Sequence, residues 1–275
     1  MKIHAIRTGT VSIHEKQRRG KGRGMMRLVN AILDRTWTDP LPIYAWLIEH
    51  PDGLMVVDTG ETAASSRRGY FPWWHPYFRM AVRCHVAKEE EVGPQLRALG
   101  FAPEDVRWVV LTHLHTDHAG GLHHFPSAEI LVSRREFKAA TGVTGRLRGF
   151  LPNRWPSWFS PRLVEFEGGP VGPFERSFAL TSDVVLVPTH GHTVGHMSVI
   201  LNHEGARLFF AGDASYTEQF MLDGVVDGVA PDERAARDTL RRIASYAREQ
   251  PTVYLPAHDP ESGERLAARR TVAVI

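Results

Sequence analysis

Residues 112–121 read THLHTDHAGG and follow the apolar run VRWVVL (106–111). Within them His113, His115, Asp117 and His118 stand close together. Imidazole and carboxylate ligands in this mixture suit zinc, and also iron, cobalt or manganese. His113 and His115 are two apart, so in extended chain both side chains leave the same face. Asp117 and His118 follow where AGGL can begin a turn or helix. A strand ending in such a turn can aim four ligands into one small volume. The chain holds 15 histidines, and histidine is the commonest metal ligand.

That cluster alone is incomplete, and the chain offers more ligands in similar settings. His192 lies in PTHGHTVGH after the apolar run VVLV, Asp213 in FFAGDASY, and His258 in VYLPAHD. α/β folds place their chemistry beyond the ends of apolar strands. Seven ligands suffice for two metals with one bridging carboxylate. Such a pair, about 3.5–4 Å apart, can share and activate one water.

These residues need strands and turns to hold them. KIHAIRTG (2–9) reads as a first strand, and KQRRGKGRGMMR (16–27) as a mobile, basic, glycine-rich loop bordering the site. IYAWLIEH (43–50) and LMVVDTG (54–60) form a hairpin turning at Pro51-Asp52-Gly53. YFPWWHPYFRM (70–80) is aromatic and too broken by proline for a regular element. KEEEVGPQLRALG (88–100) reads as a helix stopped by Gly100 and weakened inside by Gly93-Pro94. EILVS (129–133) is a strand, and Ser133 with Glu136 predicts a capping box for a helix at 134–140. Residues 141–160 read as a long loop. RLVEF, VVLVP, MSVIL and RLFFAGD supply further strands. PDERAARDTLRRIASYAREQ (231–250) predicts the clearest helix, with Pro231 in its first turn and an apolar stripe at Leu240, Ile243 and Tyr246. PTVYLPAHDP (251–260) is a last strand. Strands and helices alternate without a repeat or low-complexity linker. The expectation is one α/β domain over 1–275, with an N-terminal basic loop (about 14–40) and an aromatic insertion (about 62–87).

Composition narrows the function. In 275 residues, 43% are hydrophobic, 23% are charged and the net charge is +2. This is ordinary globular composition and argues against a dedicated nucleic-acid binder. Cys84 is the single cysteine, so no intrachain disulfide is available. The N-terminus lacks the apolar segment of a signal peptide, and no run approaches the ~20 residues of a membrane span. The expectation is a cytoplasmic protein with no membrane insertion and no nucleic-acid partner.

The ordered set His113-x-His115-x-Asp117-His118, His192, Asp213 and His258 resembles the dinuclear metal signature of the metallo-β-lactamase superfamily. The hairpin ending Val57-Asp58-Thr59-Gly60 resembles that superfamily's early strand, and the likeness spans about 43–260. It implies a four-layer αβ/βα sandwich of two mixed sheets packed face to face. A narrower stretch, GDASYTEQF (212–220), resembles the N-acyl-homoserine lactone lactonases, the quorum-quenching enzymes. The resemblance implies two divalent ions per chain, zinc first, with iron, cobalt and manganese as alternatives. His113, His115 and His192 would hold one ion, Asp117, His118 and His258 the other, and Asp213 would bridge. It also implies a metal-bridging hydroxide that attacks the carbonyl of a small-molecule lactone. Tyr216 would then contact that carbonyl, and Asp117 would pass a proton to the leaving alkoxide. A homodimer is expected by family habit.

Other readings stay beside these. Phe71, Trp73 and Trp74 would line an acyl pocket, although the aromatic stretch also suits a dimer contact. Asp58 would orient a ligand histidine, and His190 and His196 would support the site. His123 and His124 read as a surface turn. Cys84, between Arg83 and His85, reads as an inert buried thiol. A metal pair serves esters and phosphotriesters equally, so a promiscuous ester or phosphotriester hydrolase, or a thioester hydrolase, is the competing function. A metal-binding module without turnover is the competing class.

Overall fold

Alternation along the strands decides the layers of the fold, whose computed structural model describes residues 1–273. Strands β1 (Ile3–Ile13), β2 (Leu41–Ile48), β3 (Leu54–Val57), β4 (Val82–His85), β5 (Val106–Val110), β6 (Glu129–Ser133) and β7 (Arg162–Val164) form one sheet. Its order is β4-β1-β2-β3-β5-β6-β7. The pairs β4/β1, β1/β2 and β2/β3 are antiparallel, and β3/β5, β5/β6 and β6/β7 are parallel. Strands β8 (Phe178–Ala179), β9 (Val184–Pro188), β10 (Met197–His203), β11 (Ala206–Gly212) and β12 (Thr252–Pro256) form the second sheet, ordered β12-β11-β10-β9-β8. Only β11/β12 is parallel there. Both sheets are therefore mixed.

Neighbouring residues of one strand face different layers, as a period of two requires. Val110 of β5 and Phe210 of β11 pack between the sheets with Trp46, Val57, Leu201 and Leu255. Val109, one residue back, faces outward against Val92, Leu96 and Leu122. Phe209 faces outward against Leu240, Ile243 and Tyr246. Helices thus cover both outer faces, giving the expected four layers.

The helices are α1 (Glu15–Arg18), α2 (Met25–Leu33), α3 (Pro76–Met80), α4 (Val92–Ala98), α5 (Thr116–Ala119), α6 (Arg134–Thr141), α7 (Glu218–Leu222), α8 (Glu233–Glu249) and α9 (Ser262–Ala267). Helix α8 matches its expected span, and Asp232 caps it by accepting from the N–H groups of Arg234 and Ala235, both at 3.0 Å. Several expectations are corrected. Residues 16–27 are not a bare loop: most of α1 and the start of α2 lie within them. The aromatic stretch does contain a helix, α3, begun by Pro76, whose missing N–H is harmless in a first turn. The helix expected over 88–100 splits into a 3₁₀ turn at Lys88–Glu90 and α4. The capping box at Ser133 does not form. Glu136 is instead fully buried, and accepts from the Leu114 N–H (3.1 Å), the Thr193 hydroxyl (2.7 Å) and the Gly195 N–H (3.1 Å). It ties the turn after β5 to the turn after β9.

Candidate metal centre

Every candidate ligand lies just past the C-terminal end of a strand. β5 delivers the run from His113 to His118, β9 leads to His192, β11 to Asp213 and β12 to His258. His113 Nε2 stands 3.0 Å from His115 Nδ1, which stands 3.1 Å from His192 Nε2. Asp213 lies between two groups of ligands. Its Oδ2 is 3.4 Å from His192 Nε2, and its Oδ1 is 3.2 Å from His118 Nε2 and 3.4 Å from His258 Nε2. Asp117 Oδ2 is 3.5 Å from His258 Nε2. The structure thus brings all seven residues together, in the groups His113/His115/His192 and Asp117/His118/His258 with Asp213 between them.

The outer nitrogens of four ligand rings are anchored. His118 Nδ1 donates to Asp58 at 2.8 Å, and His258 Nδ1 to the Pro42 carbonyl at 2.8 Å. His192 Nδ1 lies 3.2 Å from Asp227, and His113 Nδ1 lies 3.2 Å from the Thr112 hydroxyl. Such partners fix which nitrogen faces inward. Gly212 makes the turn into Asp213 possible: its φ is +55°, and a Cβ there would come 2.7 Å from His196 Nε2. That same His196 nitrogen accepts from the Asp213 N–H at 3.0 Å, so His196 supports the bridge. His190 contacts none of the seven through its side chain; its backbone carbonyl accepts from Thr239.

The electrostatics fit a cation. Burial disfavours charge on His118 and His258, but Asp213 overrides it, lifting His118 well up and His258 to about 10. His113 and His115, set among other imidazoles, are pushed down by burial, His115 to about 4. His118 Nε2 and Asp213 Oδ1 are buried and lack any hydrogen-bond partner, although only 3.2 Å apart. Buried polar atoms left in this state are costly. A divalent ion shared by these nitrogens and oxygens satisfies them all, and the donor set suits one.

Above the ligands opens a cavity of about 720 Å³, lined by Gln17 of α1, by largely apolar residues of α2 and α3, and by the 147–150 loop. Phe71 and Trp74 line it, but Trp73 does not: it is 80% exposed and points to solvent. Tyr216 is buried in the floor, its ring stacked on His258 at 5.7 Å.

A model of the metallo-beta-lactamase superfamily matches residues 38–258. The chain belongs to this superfamily. Membership implies divalent-metal binding, in keeping with the histidine and aspartate groups. A protein named "Probable metallo-hydrolase" from Mycobacterium bovis is 32% identical over 78% of this chain and 74% of its own length. An "N-acyl homoserine lactonase" from a Bacillus species is 28% identical over 80% of this chain and 82% of its own length. Among solved structures, an N-acyl homoserine lactone hydrolase with N-hexanoyl-L-homoserine bound at its catalytic metal center superimposes with a TM-score of 0.75. It has 21% identity, covering 98% of this chain and 96% of that one. This last likeness establishes the superfamily's sandwich fold.

Within that fold, sequence reasoning missed several site residues. Gln17 Nε2 donates to the hydroxyls of Tyr77 (2.9 Å) and Tyr216 (3.2 Å). Asp227 holds His192, and buried Arg27 grips the carbonyls of Val226 and Asp227 at 2.8 and 2.5 Å. Their partners lie up to 200 residues away, so no local spacing marks them. Cys84 is a free, half-buried thiol on the cavity wall, and burial pushes its pKa up, which disfavours the thiolate. Among the described residues no helix is long and apolar enough to cross a membrane.

Proposed function

We propose that the chain is a dinuclear metal-dependent hydrolase that opens the ring of N-acyl-homoserine lactones. One observation carries this reading: seven ligands converge, and five of them (His115, Asp117, His192, Asp213 and His258) line one largely apolar cavity together with Tyr216. His113, His115 and His192 would hold one divalent ion and Asp117, His118 and His258 another, with Asp213 shared between them, and the bound pair would supply water activation near neutral pH and carbonyl polarisation. Zinc is the first choice for both, with iron, cobalt or manganese as alternatives.

Chain residues supply the rest. Burial and Asp213 push the Tyr216 hydroxyl up, so it keeps its proton. Because it accepts from Gln17, that proton is free to donate to the oxygen on which charge develops. Asp117, beside His258, is placed to pass a proton to the leaving alkoxide, so that water and lactone become a hydroxy acid. The apolar walls, Phe71 and Trp74 among them, take the acyl chain. Trp73 and Met25, 80% and 82% exposed, favour pairing with a second copy, which light scattering reads. The free thiol fits a reducing cytoplasm.

Ring opening releases acid, so proton release at constant pH tests the reading without a chromophore. Metal-loaded protein given acyl-homoserine lactones should release acid rapidly, and a chelator should stop it. No release from protein with both metals bound would shift the reading to simple esters and phosphotriesters.

A further inference from the structure

The turn that follows the ligand run carries another pair of imidazoles, outside the centre just described. His123 and His124 end a 3₁₀ turn, Gly120–His124. Both point Nε2 at the same oxygen of Glu91, at 3.2 and 2.7 Å. The other Glu91 oxygen is already engaged, accepting from the Thr62 hydroxyl at 3.0 Å and the Ala63 N–H at 2.8 Å. The carboxylate is therefore held with one oxygen aimed between the two rings.

The far side of the His123 ring decides its chemistry. His123 Nδ1 lies 3.2 Å from the Gly120 carbonyl, which can only accept, so Nδ1 carries the hydrogen. In the neutral ring Nε2 then bears a lone pair, and it faces a carboxylate oxygen that bears others. A cation between them removes the repulsion. His124 directs its own Nε2 to the same point, its ring centroid 4.0 Å from that of His123, so one ion serves three donors. Burial, together with His123, pulls the His124 ring down from its ordinary value, against the pull of Glu91. A ring N–H on a backbone carbonyl with the other nitrogen turned to a metal is the usual posture of a ligand histidine. The three donor atoms lie within 4.8 Å of one another, and ligands on a tetrahedral zinc stand about 3.3 Å apart. Gly93 leaves the space that His124 fills: a Cβ there would meet the ring at 2.4 Å.

We propose that Glu91, His123 and His124 form a third metal site, taking zinc or a similar divalent cation and completed by water. Its role is structural. Glu91 already holds residues 62–63, Gly120 N–H donates to Gly60, and Thr59 N–H donates to His118. An ion here clamps the loop after β3 to the turn that carries Asp117 and His118. The proposal is independent of the substrate.

Anomalous diffraction at the zinc edge, from crystals of the full chain loaded with stoichiometric zinc, tests it directly. A peak bonded to Glu91 Oε2 and both Nε2 atoms is expected. His123→Gln, at a half-exposed position, should bind one metal equivalent fewer, keep the peaks at the His113–His258 centre, and lose part of the zinc-dependent rise in Tm. Peaks at that centre with none at Glu91, or a variant with the full wild-type metal content, would overturn the proposal. So would a Glu91 peak that appears only at millimolar zinc, which marks an adventitious ion only.

Discussion

Tyr216 and Glu61 show how far a single side chain can be argued. Tyr216→Phe removes one donor to the developing oxyanion and no metal ligand. Metal content should stay at the wild-type value while kcat falls about 10²-fold, the range seen when one such donor is lost; wild-type turnover in this variant would remove Tyr216 from the mechanism. Glu61 is fully buried, and one of its oxygens has no partner. Burial, aided by Asp117 and opposed by the Thr62 N–H, lifts its carboxyl from 4.5 to about 8. Between those values the folded chain keeps a proton that the unfolded chain has released. Stability must therefore fall as pH rises through this window, by at most about 1.4 kcal/mol per unit. Urea titrations across the window should show Glu61→Gln lacking that slope, and identical slopes for variant and wild type would refute the assignment. At this scale the ligands were legible, because chemistry sets their types and strand ends set their spacing. Gln17, Tyr77 and Glu61 were not, because each acts through partners supplied by the tertiary fold.

Elements were legible where their apolar face enters the core. Helix α8 buries Ala236, Leu240, Ile243 and Tyr246 against the second sheet, so its period stands out in the sequence. Leu240→Ala should cost about 2–5 kcal/mol, read as a lower urea midpoint; a loss under ~1 kcal/mol would mean the helix packs loosely. Helix α2 is the opposite case. It buries only Arg27 and Ala31, leaving Met25, Met26, Leu28 and Leu33 exposed, and glycines precede it. Its apolar side lines the cavity rather than the core, so composition suggested a loop. The capping box failed for a related reason. Ser133 and Glu136 have the right spacing, but a buried carboxylate with three donors outside its own helix gains more than a local cap offers.

The whole molecule joins two sheets around one interior, and two outcomes belong to that scale. The chain, read as one domain, should show a single calorimetric unfolding transition, and two resolved peaks would separate the sheets. Ile32→Trp narrows a cavity built jointly by the N-terminal helices and the central loops. It should raise KM for long-chain lactones more than for short ones, and an unchanged chain-length profile would place the acyl chain elsewhere. The sandwich was legible from strand number and from the ligand order, while the cavity was not, since its walls come from segments distant in sequence. One contact also sets a clock for biosynthesis. The hydrogen bond from His258 to the Pro42 carbonyl closes across 216 residues. A ribosome adding about 5–20 residues per second leaves roughly 10–40 s between the synthesis of its two ends. Until β9–β11 (184–212) emerge within that interval, the inner face of the first sheet, with Trp46, Val57 and Val110, has no second sheet to cover it. The nascent chain is then a natural client for a chaperone that shields apolar strands, and its metals can be delivered only after that protection ends.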